Sequence, residues 1–144
     1  MSLFAALSVG ASGMAAQRAR AEVLVENLAN AETTRTPQGG PYQRQDVVFE
    51  SAGVTSPFSS VFDAQVDAVN GVAVSGILTD TSEPERRYMP GHPDADANGY
   101  VAFPNVNPAE DMVNLMDTSR SFEADVAAMN AVKDMIQHSL DLLH

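Results

Sequence analysis

The stretch from Asn107 to His144 carries no glycine, and no proline after Pro108, so nothing in it interrupts a helix. Within it, steps of three and four alternate through Met112, Leu115, Ser119, Phe122, Val126, Met129, Lys133, Ile136, Leu140 and Leu143. Only Ser119 and Lys133 break the apolar pattern, so the run predicts a helix with a heptad seam. Asn107 suits the N-cap, Pro108 the first helical position, and Glu110 the carboxylate of a capping box. About 36 residues rising roughly 1.5 Å each make a rod of some 50 Å. A single domain of this size is barely that wide, so the seam needs a partner helix.

The other end of the chain supplies one. Leu3, Leu7, Gly10, Met14, Gln17, Ala21, Leu24, Leu28 and Ala31 follow the same alternation. This seam is poorer, and Ala5, Ala6, Ala11, Ala15, Ala16 and Ala19 coat its flanks. Small side chains let helix axes approach closely, as in a crowded array of helices. Gly10 and Gly13 each cost about 1 kcal/mol of helix propensity, so this helix leans on neighbours to form. The plain alternative is a two-helix hairpin burying its own core.

The residues between read as short strands and turns. Thr36 to Pro41 is a turn cluster, Tyr42 to Phe49 a strand, and Ser51 to Ser60 a flexible loop. Phe62 to Val69 and Val72 to Leu78 flank Asn70-Gly71, a strong two-residue hairpin signal, and Gly76 marks a bulge in the second strand. Glu83 to Arg87 is charged and exposed, Pro90 to Pro93 is irregular, Asn98-Gly99 turns, and Tyr100 to Phe103 is a short strand closed by Pro104. The expected fold is mainly α with a small β-rich middle. Long N- and C-terminal helices pair as a coiled-coil-like core, and a β-hairpin domain lies between them. The segments are 1–35, 36–106 and 107–144.

The 144 residues carry a net charge of -11, with only eight Lys or Arg, which argues against nucleic acid as a partner. The charge is uneven. Residues 1–36 hold three Arg and three Glu, whereas the middle and the C-terminal stretch are both acidic. A neutral, apolar segment belongs at the centre of an assembly with the acidic parts outside. There is no cysteine, hence no disulfide and no thiolate chemistry. No transmembrane segment is expected, and the N-terminus lacks the basic start of a cleavable signal, with Arg18, Arg20 and Glu22 continuing its helix.

Catalytic and cofactor chemistry find little support. His92, Asp94 and Asp96 lie close enough to ligate a metal on paper, but no second ligand cluster joins them, and an Asx-type turn is the default. Glu83, Glu85, Arg86 and Arg87 read as a solvated charge run. Met112, Met116, Met129 and Met135 read as adaptable packing. No catalytic residue, cofactor site or metal site is expected. Asn27 and Asn30 stand apart: three residues apart at a helix end, their amides can cap carbonyls or bridge to a neighbouring chain.

Asn27-Leu28-Ala29-Asn30 followed by Thr33 resembles the signature near the N-terminus of bacterial flagellar axial proteins, the rod and hook family. Tyr42 to Phe49, the block Pro90 to Val101 with Pro104-Asn105-Val106, and Met112-Val113-Asn114 with Ser119 to Phe122 and Asn130 are similar to proximal-rod members of that family. Phe122 stands where Tyr is usual and Asp125 where Asn is expected. Residues 51–70 match no part of the pattern. The resemblance implies a structural subunit without catalysis, exported through the flagellar type III channel with no cleaved signal. It implies helical assembly in the periplasm with copies of itself, other rod subunits and the MS-ring or export-gate adaptor at the rod base. The implied helices line the interior of a torque-transmitting shaft around an export channel, with the β-rich middle outward. The expected interface joins Leu3, Leu7, Met14, Leu24 and Leu28 of the first helix to the second helix's seam, together with Asn27, Asn30, Asn114, Arg120 and Asn130. Both termini are expected to fold on assembly. Rival readings are a different axial subunit, a dimeric cytoplasmic helical-hairpin adaptor, and a small enzyme with metal on His92, Asp94 and Asp96.

Overall fold

The computed structural model describes residues 3–53 and 70–141. Helix α1 spans Leu3–Ala29, and α2 spans Pro108–Asp141. Between them lie β1 (Gln45–Gly53), β2 (Asn70–Thr79), β3 (Glu85–Tyr88) and β4 (Tyr100–Phe103). The strands form two separate antiparallel pairs, β1 with β2 and β3 with β4. The expected class therefore holds: two long terminal helices around a small β middle.

The start of α2 follows its sequence signals. Asn107 Oδ1 accepts the Ala109 amide at 3.2 Å, and the Asn107 carbonyl takes the Asp111 amide at 3.0 Å. The two helices run antiparallel. A Cβ built at Gly10 would lie 2.7 Å from Met129 Sδ, and one at Gly13 would lie 3.2 Å from Asp125 Oδ2. The axes come this close because neither glycine has a side chain to hold them apart.

On α1 the expected stripe is upheld. Leu7, Gly10, Met14, Gln17, Ala21, Leu28 and Ala31 are half-buried and Leu24 is buried. A second face of α1 carries the β1–β2 pair. Ser12 Oγ accepts the Val72 amide at 3.1 Å near one end, and Asn27 holds Gln45 near the other.

The β middle departs from expectation in three places. The strand read as Tyr42 to Phe49 begins later and runs longer, so Ser51 to Gly53 is strand where a loop was expected. Tyr42 is drawn out of the ladder because its ring is buried and its hydroxyl engaged. Asn70-Gly71 is not a two-residue turn but the beginning of β2, with Asn70 opposite Gly53 and Gly71 opposite Ala52. Its turn signal was outweighed by pairing along the whole of β1; Phe62 to Val69 lies outside the described residues. The charged run is exposed as expected, but Glu85 to Tyr88 is also a strand, paired to β4. The bulge appears as expected: Val48 faces Gly76 while Phe49 faces Val74, leaving Ser75 extra.

The β3–β4 unit is closed by a loop that Asp96 organises, accepting the Asn98 and Tyr100 amides at 2.8 and 2.9 Å. Gly99 takes φ +81°, and a Cβ there would crowd Tyr88 at 3.0 Å, so the Asn98-Gly99 turn needs glycine. Tyr88 meets Tyr100 edge to face at 5.3 Å, and Arg87 lies 4.8 Å over the Phe103 ring. Asp94 Oδ2 accepts the Thr34 hydroxyl at 2.8 Å, docking this loop on the segment after α1. The carboxylates of Asp94 and Asp96 thus serve loop structure, as the Asx-turn reading expected.

Candidate assembly surfaces

The face α2 turns toward α1 is not the seam read from the sequence. Asp111, Leu115, Thr118, Asp125, Met129, Val132 and Ile136 are its buried and half-buried positions, and Asn114 is half-buried beside them. These share Leu115, Met129 and Ile136 with the expected seam. In place of Met112, Ser119, Val126 and Lys133 they use the residue before each. The off-pattern Ser119 and Lys133 are exposed, and Thr118 and Val132 take their places inward.

This correction has a physical reason. Periodicity finds the most apolar stripe of a helix, and that stripe need not be the one the lone chain buries. The inward face of α2 has a polar residue every seventh position: Asp111, Thr118, Asp125. Left outside are Met112, Val113, Met116, Phe122, Val126, Met135 and Leu140, from 37 % exposed at Val126 to 59 % at Leu140. Fully burying such a side chain contributes about 1.5–3 kcal/mol, so the isolated chain leaves much of that stabilisation unrealised. So many exposed large apolar side chains on one helix mark it as a candidate interaction surface.

Asn27 and Asn30 part company. Asn27 is buried, its Nδ2 donating to the Gln45 carbonyl at 2.8 Å while its Oδ1 accepts the Tyr42 hydroxyl and the Gln45 amide, both at 2.9 Å. Of the two roles its amide could take, satisfying carbonyls or bridging to a neighbouring chain, the subunit shows the first: it fastens β1 to α1, its nitrogen donating to the Gln45 carbonyl. Asn30 is a local cap, donating to the Glu26 carbonyl at 3.0 Å and accepting the Thr33 hydroxyl at 3.2 Å. Leu24, also expected at the interface, is buried inside the subunit. Arg120 is exposed, 3.8 Å from Asp117, and Asn130 is exposed. The Leu3 side chain and Leu143 lie outside the described set.

The sequence reading missed a buried ion pair. Arg44 Nη2 lies 3.6 Å from both Asp46 Oδ1 and Asp111 Oδ1. Asp111 is buried in the first turn of α2, and neither carboxylate oxygen accepts a hydrogen bond. Burial raises its pKa from the ordinary 3.8; Arg44 pulls it down, while Glu110 and Asp46 push it up. Nearby, burial together with Glu26 and Asp111 pushes the Tyr42 hydroxyl up to about 12.

The folded chain therefore holds the Asp111 proton more tightly than the unfolded chain does. The stability this group adds is full below its unfolded value and is lost as pH rises through the raised folded value. Asp111→Asn is expected to remove that loss. In urea unfolding at about pH 4 and pH 7, the variant should gain on the parent at the higher pH. A difference independent of pH would show that Asp111 holds its proton no more tightly folded than unfolded.

Comparison with known proteins bears on what an exposed apolar helix face is for. Residues 7–35 match the family described as Flagella basal body rod protein, and residues 97–142 match Flagellar basal body rod FlgEFG protein C-terminal. The chain is 44 % identical to the flagellar basal-body rod protein FlgC of Bacillus subtilis (strain 168) over 99 % of both chains. It is 38 % identical to the proteins of that name from Borreliella burgdorferi and Salmonella typhimurium, over 99 % of this chain and 99 % and 98 % of theirs. Likeness at this level runs across essentially the whole length of the chain and of its relatives: the chain belongs to the flagellar basal-body rod protein FlgC family.

Proposed function

We propose that this chain is a structural subunit of the proximal rod of the bacterial flagellum, a building block without catalysis. It stacks helically with copies of itself and with other axial subunits, and the MS ring or export-gate adaptor seats it at the rod base. The stack carries torque from motor to hook and encloses the channel through which later subunits pass. The subunit reaches the periplasmic rod through the flagellar export channel with its N-terminus uncleaved. The observation that carries this reading is the open apolar face of α2, supported by the family membership. A lone copy cannot hide that face, and a contact between two different surfaces that does not close builds a filament.

The test is to delete the coding sequence in the cells that make the protein and restore it with an epitope-tagged copy. Loss of swimming with hookless basal bodies, and recovery of tagged protein in the rod of purified basal bodies, is the expected result. Swimming cells without the protein, or its recovery only from the cytoplasm as a discrete dimer, would overturn the reading and favour the helical-hairpin adaptor.

A further inference from the structure

We infer that the open face of α2 docks on the outward face of α1 in a second copy of this chain, antiparallel, in one register. This rests on the assembly reading above and adds which surfaces meet and how they align. Ala11, Ala15, Arg18, Glu22, Val25 and Ala29 are exposed on α1 at alternating steps of four and three. They belong neither to the face on α2 nor to the face on the β1–β2 pair. On α2, Met112, Met116, Ser119, Glu123, Val126 and Asn130 are exposed with the same alternation. Two antiparallel helices with matching spacing mesh along their whole length or only after slips of a full heptad.

One register satisfies both size and charge. It sets Met112 over Ala29, Met116 over Val25, Ser119 over Glu22, Glu123 against Arg18, Val126 over Ala15 and Asn130 over Ala11. The protruding Met and Val side chains lie over shallow or apolar positions, the Ser119 hydroxyl faces Glu22, and Glu123 meets Arg18, which within α1 already pairs with Glu22 at 2.9 Å. Slipping one heptad in one direction puts Met112 on Glu22 and Met116 on Arg18. Slipping in the other puts Glu123 on Val25 and Val126 on Glu22. Each alternative buries a charge against an apolar side chain.

The same register sets how copies follow one another. Inside the subunit, Gly10 lies level with Met129 and Gly13 with Asp125. The proposed contact is offset from that alignment by about two to three residues, less than one helical turn. An axial offset between successive copies makes the relation a screw, which cannot close into a dimer and climbs instead.

Because the sequence has no cysteine, introduced thiols report proximity without background. Chains carrying Ala15→Cys and chains carrying Val126→Cys, co-expressed in the native cells, are expected to form a disulfide-linked dimer on oxidation of purified basal bodies. Either variant alone should give none, and Ala29→Cys paired with Val126→Cys should give none, being out of register. Protein present in the basal bodies without the first dimer, or with equal dimer from the second pair, would overturn the inference while leaving the rod reading intact. Absence of the unsubstituted chain from basal bodies of swimming cells would sink both. As a second measure, Glu123→Arg should lower incorporation by about tenfold and added Arg18→Glu should restore it; no restoration counts against the pairing.

Discussion

Leu140→Asp is expected to leave the isolated chain as stable as the parent and yet abolish its incorporation into a filament. In the lone subunit Leu140 is 59 % exposed, so a carboxylate there stays in water. Exposed substitutions of this kind change folding stability by about 0.5 kcal/mol or less. In the proposed assembly the same side chain belongs to the apolar stripe that a neighbour would cover, and an unpaired buried charge costs about 3–5 kcal/mol. That is a loss of roughly two to four orders of magnitude in association per contact. Urea unfolding of the purified variant measures the first quantity, and quantitation in purified basal bodies measures the second. A large loss of stability in the monomer would place Leu140 inside the subunit; unchanged incorporation would place it outside any interface.

The second large effect is intramolecular. Asn27→Ala removes a side chain that satisfies three groups at once: the buried Tyr42 hydroxyl and the half-buried amide and carbonyl of Gln45. Each group left unpaired in the interior costs about 1–3 kcal/mol, and the truncation also leaves a small void. A loss of about 3 kcal/mol or more in urea unfolding is expected, with little change in slope if the chain still unfolds as one unit. Asn27→Asp keeps the acceptor oxygen but loses the donor to Gln45, and should recover only part of the loss. A cost below about 1 kcal/mol for the alanine variant would mean water replaces the amide, and that the β1–β2 pair does not depend on it.

The pattern of agreement follows from how far apart the deciding residues lie. The helices and the Asn107 cap rest on contacts within a few positions and were readable from spacing and capping chemistry. The Tyr100–Phe103 strand and the bulge at Gly76 carried local signals, an alternating apolar run and a glycine, although both are completed by a distant strand. The turn at Asn70-Gly71 was misread because local propensity competes with ladder pairing to Ala52 and Gly53, and pairing won. Arg44 and Asp111 are 67 positions apart and meet only because α2 folds back along α1. A weak signal was available: Asp111, Thr118 and Asp125 recur every seventh residue, and a polar position repeated in a heptad often fixes register at some cost in stability.

By itself the sequence determined that there would be two long terminal helices, and that they would carry more apolar surface than the lone chain covers. It also carried the family signature. Only the tertiary structure decided which stripe of α2 faces inward. Hydrophobic periodicity sums all the burial a helix will ever have, within the subunit and beyond it. The backbone path of one subunit divides that sum, here giving the more polar stripe to α1 and leaving the greasier one exposed. The same path decided the fate of Asn27: an amide at a helix end can serve any partner until Tyr42 and Gln45 arrive to occupy it.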